Sequence, residues 1–378
     1  MRSSPSAITG CLPVYAPQPL RVLLVAPYAP RGGGMGRMMD YLAGRGRPDL
    51  RFDLVESRGA GAAGWSAWFV LKAVWRFAQA AAGNEATIVH LNMAERGSVW
   101  RKGVLLVAAR GLGLRTLLHL HAAELMADYG RMPGWRRWLV RRIFRAADQC
   151  VVLGTPWRNW LTGTLGVAEG RVTVLRNGVE QPRGARQPPQ GGAFSLLFLG
   201  NLLARKGLLD LLDALGSARL RGAHWYLVVA GGGPEAGARR RAEALGIEQR
   251  VEFAGWLARG AVDAALAAAG AVVLPSYHEG LPLALLEAAS LGVPVVASPV
   301  GAIPELFTDG ETALLVPPGD VAGLAAALHR LMADPALCDR LGRNGQALYQ
   351  STCTMEVFLA GLERIYRQLA ARGQVLPA

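Results

Sequence analysis

The chain has 378 residues, of which 51% are hydrophobic and 18% charged, so it is too long for one ordinary core and too apolar for a disordered protein. Its formal net charge of +13 is unevenly placed: residues 1–180 hold 24 Lys and Arg against 11 Asp and Glu, together with eight of the ten Trp, whereas residues 181–378 hold 17 against 17. The four cysteines, Cys11, Cys150, Cys338 and Cys353, show neither a C-x-x-C pair nor metal-ligand spacing, which argues against a zinc site and fits inert thiols in a reducing compartment.

Residues 1–20 are broken by Pro and Gly and lack a continuous apolar stretch, so they predict a disordered tail and no secretory signal. RVLLVAP, from Arg21 to Pro27, predicts a strand; a loop containing Gly32, Gly33, Gly34 and Gly36 follows, then a helix over RMMDYLAGR. The loop either presents backbone amides to an anion or a cleft, or is plain turn chemistry. It is not a dinucleotide fingerprint, since the sixth place from Gly32 is Arg37, and no G-K-[ST] follows. The β-rich runs RFDLVES, ATIVHLN, RTLLHLH and QCVVLG come next, with RKGVLLVAARGLG and WRRWLVRRIFRAAD as helices among them, a pattern that predicts a helix-wrapped parallel sheet over 21–180. Trp65 to Gly83 comes nearest to a membrane span, but Lys72 and Arg76 interrupt it.

In LLHLHAAE, His119 and His121 stand at i and i+2 on one strand face, and a metal pair there would lack a third ligand at a familiar spacing. His119 is expected to pack in the sheet; His121, where the strand breaks, is the better cleft residue. RVTVL predicts a further strand, running into residues 181–193, which are rich in Pro, Gly, Arg and Gln and read as a linker. The alternation restarts over 194–354 with FSLLFLG, HWYLVVAGGG, RVEFAGW, AVVLPS, PVVAS and ALLVPP as strands, and residues 355–378 form an amphipathic helix free to pack back on the first lobe. The fold class is α/β, two Rossmann-like doubly wound parallel-sheet lobes facing across a cleft. In FLGNLLARKG, Arg205 and Lys206 lie beyond a strand and ahead of a helix, where they either neutralise a diphosphate or form a solvated surface pair.

LPSYHEGLPLALLEAASLGVPVVAS is the most informative stretch. Pro282 suits the first turn of a helix running to about Leu291, with Glu279 before its positive end and Glu287 about two turns along. Leu283, Leu285, Leu286 and Ala288 surround Glu287, and an unpaired buried carboxylate is costly. Glu287 therefore borders a polar cleft or has a hydrogen-bond donor, unless it lies on a solvated helix face.

Glu279-Gly-Leu-Pro…Glu287 resembles the E-x7-E block of the retaining family 4 glycosyltransferases, which have the GT-B fold. The resemblance runs from about Arg21 to Cys353 and takes in the Gly-rich loop, HLHAAE, RNGVE, FLGNLLARKG, VVAGGGPE, VEFAGW and LLVPPGD in order. It implies a nucleotide-sugar donor held mainly by the second lobe and an acceptor held mainly by the first. It assigns Glu279 and His121 to catalysis: Glu279 beside the transferred sugar, His121 reaching toward sugar and phosphate. It assigns Glu287 to the donor ribose, Gly33 and Gly34 to a loop closing over the diphosphate, the Gly280 and Leu281 amides to sugar or phosphate oxygens, and Lys206 to the diphosphate leaving group, so that no metal cofactor is expected. The base would stack near Phe253 to Trp256. One position departs from the family, which usually has Arg where this chain has Asn201; either Arg205 supplies the missing charge or the diphosphate is held less firmly.

The basic first lobe bears on the acceptor. GWRRWLVRRIFRAAD interleaves five Arg with Trp135, Trp138, Leu139, Ile143 and Phe144, and WSAWFVLKAVWRF is similarly aromatic. Such segments suit an anionic membrane surface, or else bury one face and solvate the other. Within the family the pattern resembles bacterial exopolysaccharide and O-antigen enzymes, implying a polyprenyl-diphosphate-linked saccharide acceptor and a cytoplasmic enzyme peripheral to the inner face of the cell membrane. The alternatives are a cytosolic transferase acting on a soluble sugar, an epimerase of related two-lobe shape, and a basic nucleic-acid-binding protein. The last has no recognisable binding module and leaves both glutamates unexplained.

Overall fold

The structure is a computed structural model describing residues 20–26, 33–43, 45, 49–57, 66–83, 87–95, 97–187 and 192–374. Aliphatic and β-branched runs form its strands wherever both sheet faces are covered. The first lobe runs β1 (Leu20–Ala26), α1 (Gly33–Ala43), β2 (Leu50–Glu56), α2 (Ser66–Ala81), β3 (Thr87–Met93), α3 (Gly97–Gly111), β4 (Arg115–Leu120), α4 (Leu125–Arg131), α5 (Gly134–Ala146), β5 (Gln149–Val152), α6 (Thr155–Asn159) and β6 (Val172–Val174). The second runs β7 (Phe194–Leu199), α7 (Leu208–Leu215), β8 (Trp225–Ala230), α8 (Ala236–Ala244), β9 (Val251–Gly255), α9 (Arg259–Ala268), β10 (Ala271–Leu274), α10 (Leu283–Ser290), β11 (Val295–Ala297), α11 (Ile303–Leu306), β12 (Leu314–Leu315), α12 (Val321–Ala333) and α13 (Pro335–Thr352), and the chain closes with α14 (Met355–Gln374).

Each lobe holds a six-stranded parallel sheet, in the order β2-β1-β3-β4-β5-β6 and β12-β11-β10-β7-β8-β9. Both orders reverse beside their first strand, the place where a doubly wound sheet opens a crevice at its strand C-termini. β3 is buried at every position, polar His90 and Asn92 included. On the first sheet α3 lies between α2 and α5, while α14 packs against β3 and β4. Tyr366 of α14 is fully buried there, with its hydroxyl 2.6 Å from His90 Nδ1. The return from the second lobe is tight: Val179 N donates to Cys353 O, and a Cβ on Gly178 would press on the Thr354 carbonyl and Phe358.

Local details differ from the sequence-based expectation. Gly33 and Gly34 open α1 and are not loop residues, whereas Gly32, Pro27, Cys11 and residues 1–19 lie outside the described residues. Pro282 is the N-cap of α10, extended at φ −66° and ψ 127°, so the helix begins one residue later. Two helices not anticipated, α12 and α13, follow the last strand, each capped by an aspartate: Asp320 accepts from Gly323 N and Asp334 from Leu337 N. Among the described residues no helix is long and apolar enough to cross a membrane.

Candidate functional site

A cleft of about 1400 Å³ opens between the lobes, lined by residues that follow the strand ends of both sheets. From the first lobe come Arg37, His121 and Glu124; from the second come Asn201, Arg205, Lys206, Glu279, Gly280, Leu281 and Glu287.

Glu279 sits in the turn between β10 and α10 and is 6% exposed. Its Oε1 accepts from Lys206 Nζ at 2.5 Å and Ser276 Oγ at 2.8 Å, while Arg205 Nη1 stands 3.9 Å from Oε2. Lys206 reaches it from a 3-10 turn, Ala204–Lys206, that ends at left-handed Gly207 (φ 70°). Arg205 also donates to the His278 carbonyl at 2.8 Å and pairs across the cleft with Glu124 at 3.4 Å. Glu124 is placed by Glu95, whose Oε1 accepts the Ala123 and Glu124 amides at 2.8 and 3.1 Å. Both cations expected on a diphosphate thus rest on carboxylates, with Asn201 exposed nearby on the cleft wall.

Gly280 and Leu281 lead into α10, and among the described residues neither amide donates to a backbone carbonyl. Two free donors beside a helix N-terminus suit oxygen-rich groups. A Cβ on Gly280 would lie 2.9 Å from Leu153 Cδ1 and 3.7 Å from the His121 carbonyl, so the lobes approach closely here. Asn177, in the segment joining the lobes, donates to Leu281 O at 2.9 Å.

Glu287, 2% exposed on α10, has its partners in the other lobe. Arg37 Nε lies 2.7 Å from its Oε1, and the Tyr41 hydroxyl donates to the same oxygen at 3.0 Å. Arg37 also meets buried Asp263 of α9 at 3.2 Å, and Arg259 lies over the Tyr41 ring. Burial pushes the Glu287 pKa up, while Arg37 and Tyr41 pull it back. The carboxylate assigned by resemblance to a ribose is therefore covered here by α1. Sequence reasoning missed Arg37 and Tyr41, having met Arg37 only as a residue that spoils a glycine motif. The available signal was the spacing Arg37, Tyr41, Arg45, a polar stripe at i, i+4 and i+8 whose last member pairs with Glu180 and Glu356.

His121 is half-buried on the cleft wall, Nε2 3.0 Å from Asn92 Oδ1 and its ring against that of His119, tilted by 37° with centroids 4.0 Å apart. His119 is packed in the sheet, 1% exposed, its Nδ1 3.3 Å from His90 Nε2. Burial pushes His121 down to about 4 and His90 to about 3, so all three imidazoles, His119 included, are neutral at pH 7. Of the residues expected near the base, Trp256 lines the cleft and is 41% exposed, whereas Phe253 is capped by Arg239 at 4.5 Å and does not line it. Among the described residues no group of three or more His, Cys, Asp or Glu side chains could hold a metal ion.

Comparison with known proteins accords with this two-lobe site. Residues 15–178 match the profile of the glycosyl transferase 4-like domain, and residues 185–348 that of glycosyl transferases group 1. The chain is 33% identical over 267 residues to a glycogen synthase of Mycobacterium tuberculosis, covering 64% of this chain and 62% of that protein, so the match spans less than two thirds of its length. Sucrose-phosphate synthase from Thermosynechococcus elongatus has the same fold, with a TM-score of 0.75 at 21% identity over 93% of this chain and 100% of that one. Anabaena HepE in complex with UDP-glucose gives 0.72 at 17% identity over 94% and 100%. With one profile matched on each lobe and the two-lobe fold shared throughout, the chain belongs to the family 4 glycosyltransferases of GT-B fold.

Proposed function

We propose that the protein transfers a hexose from a nucleotide-diphosphate sugar to a saccharide acceptor, with retention of anomeric configuration. The observation that carries this reading is the Lys206–Glu279 pair beside the unpaired Gly280 and Leu281 amides, a cation, a carboxylate and two donors converging on one cleft. As the bond from the anomeric carbon to the diphosphate breaks, negative charge grows on the leaving phosphate and positive charge on the sugar ring. Lys206 is within reach to exchange Glu279 for the phosphate, leaving the carboxylate to hold sugar hydroxyls and face the developing cation. The acceptor hydroxyl forms the new bond on the same ring face and gives its proton to the departing phosphate oxygen. Arg205 and Lys206 supply positive charge that a metal would otherwise bring, so transfer should survive EDTA. UDP-, GDP-, ADP- and dTDP-sugars are to be assayed for hydrolysis and transfer, with the product anomer read by NMR. An inverted product removes retention, and no turnover of any donor removes the enzyme assignment.

The acceptor in this reading is a polyprenyl-diphosphate-linked saccharide at the cytoplasmic face of the cell membrane, in exopolysaccharide or O-antigen synthesis. Support comes from the outer side of the α2-α3-α5 layer. Trp68, Leu71 and Trp75 on α2, Val104 and Val107 on α3, and Trp135 and Trp138 on α5 are all more than half exposed. Lys72, Arg76, Arg136 and Arg142 are exposed on the same helices. Aromatic anchors with cations fit anionic headgroups, each cation near the surface contributing about 1 kcal/mol. Sedimentation with phosphatidylglycerol vesicles should carry the protein down and phosphatidylcholine vesicles should not. If both leave it in solution, a soluble saccharide acceptor becomes the better reading.

A further inference from the structure

His121 is held from two directions, by Asn92 at the ring edge and by the tilted His119 ring, its centroid 4.0 Å away. Asn92 is fully buried on β3, and its amide has a second neighbour, Met39 Sδ, 3.7 Å from Nδ2. A thioether sulfur can only accept, so the amide nitrogen belongs on Met39 and the oxygen on the histidine. The flipped amide would set oxygen against sulfur and leave its nitrogen competing for His121. A carbonyl oxygen takes a nitrogen that bears hydrogen, so the neutral imidazole carries its hydrogen on Nε2. Nδ1 is then the accepting atom. It is absent from the buried polar atoms lacking a partner among the described residues, and it belongs to a ring that lines the cleft.

We propose that Asn92 is a positioning residue for the transfer reaction: it fixes His121 as the Nε2–H tautomer, so that the ring offers the cleft a hydrogen-bond acceptor, which receives a sugar hydroxyl and not a phosphate oxygen. Two lone pairs facing each other repel, so an accepting Nδ1 is a poor neighbour for phosphate. This separates His121 from Lys206 and the Gly280 and Leu281 amides, which have positive character. The hydroxyl's origin rests on the glycosyltransferase reading above, whereas the tautomer does not.

Histidine 15N NMR of the full chain tests the tautomer without any substrate, the His121 signals being identified by their loss in His121→Gln. The expected spectrum shows His121 as neutral Nε2–H from pH 7 to about pH 5, its titration lying near 4; an Nδ1–H tautomer overturns the proposal. In Asn92→Asp a carboxylate replaces the amide oxygen and should raise the His121 midpoint by about 1–3 units, and an unchanged midpoint also overturns it. The functional arm uses Asn92→Leu: kcat should fall about tenfold or more at unchanged donor KM, with Asn92→Asp recovering part of the loss. UDP, GDP, ADP and dTDP are titrated in parallel, and the tightest should bind wild type, Asn92→Leu and His121→Gln equally; loss of nucleotide affinity in both variants would place His121 on phosphate instead. If Asn92→Leu does not fold, the wild-type tautomer and the Asn92→Asp midpoint still decide. The right tautomer in a protein that transfers no sugar would remove the transferase reading and leave Asn92's placement of the ring intact; the wrong tautomer in an active transferase would do the reverse.

Discussion

Lys206 Nζ and Glu279 Oε1 meet at 2.5 Å in the cleft, joining a turn after β7 to the turn after β10. The two turns lie far apart in sequence, and the contact exists because β7 and β10 are neighbours in the second sheet. In the proposed reaction a phosphate takes Glu279's place on Lys206.

Removing either partner should have different consequences. Glu279→Ala is expected to abolish sugar transfer while leaving a folded protein, because Lys206 keeps access to solvent. Lys206→Ala should lower kcat by about 10²–10³, the loss expected for one lost electrostatic contact to a developing anion. It should also lower the Tm, since a 6% exposed carboxylate loses its nearer cation and keeps only Arg205, 3.9 Å away. Initial rates and thermal melts check both, and wild-type turnover in either variant would remove that residue from the site.

Arg37→Ala should be among the most destabilising changes in the first lobe. It leaves Glu287 buried without its counter-charge, a loss of about 3–5 kcal/mol, whereas Tyr41→Phe removes one hydrogen bond worth about 1 kcal/mol. The deficit should also depend on pH. Glu287 already has a folded pKa raised above 4.5, so the native state binds more protons than the unfolded chain, and stability falls as pH rises through that window. Arg37→Ala widens the window, so urea denaturation should show a smaller deficit at pH 5 than at pH 8.

The same contacts predict a mechanical effect. Arg37, Tyr41 and Arg45 tie α1 to Glu287, Asp263, Glu180 and Glu356. Arg45→Ala breaks the ties at the end of the stripe away from Glu287, and small-angle scattering should show a larger radius of gyration than wild type in the absence of donor. An unchanged radius would mean the remaining contacts hold the lobes closed without it.

The buried imidazoles predict acid sensitivity. His90 and His121 have folded values lowered to about 3 and about 4, while an unfolded histidine takes up its proton near 6.5. Below that pH the unfolded chain binds more protons than the native one, so stability should fall steadily from about pH 6.5, through about pH 4 for His121 and on to about pH 3 for His90. His90→Gln cannot take up that proton and should lose less on acidification, even if it starts less stable at pH 7.

Gly301→Ala and Gly310→Ala form a matched test of backbone crowding. Both glycines have positive φ, 63° and 73°, which costs alanine about 1–2 kcal/mol. At Gly310 a Cβ meets open space, so that cost is the whole effect. At Gly301 it would collide with the Glu279 carbonyl oxygen and press on that of Gly280, so Gly301→Ala should also lose most transfer activity.

The legible features were those with a local cause. Alternating strand and helix runs located the neighbourhoods of all twelve strands no less clearly than the long helices around them, because a short apolar run covered on both faces and a longer amphipathic helix leave different patterns. The Glu279 and Glu287 spacing was equally visible, two acids in an apolar stretch where a carboxylate needs a partner. α12 and α13 were legible in principle, through Asp320, Asp334 and Pro335 at their starts, yet no strand follows them to complete the alternation.

By itself, then, the chain's order of residues determined the two-lobe alternation, the turn chemistry around Pro282 and the placing of two carboxylates ahead of and within one helix. Only the tertiary structure decided their partners. Tyr41 and Glu287 are 246 residues apart, and nothing in the local period of α1 or α10 says which surfaces will meet once the lobes dock. The protonation of His90, His119 and His121 was decided the same way. An imidazole's charge depends on how much water surrounds it, and for His90 and His119 that is settled when α14 brings Tyr366 and Phe358 over β3 and β4.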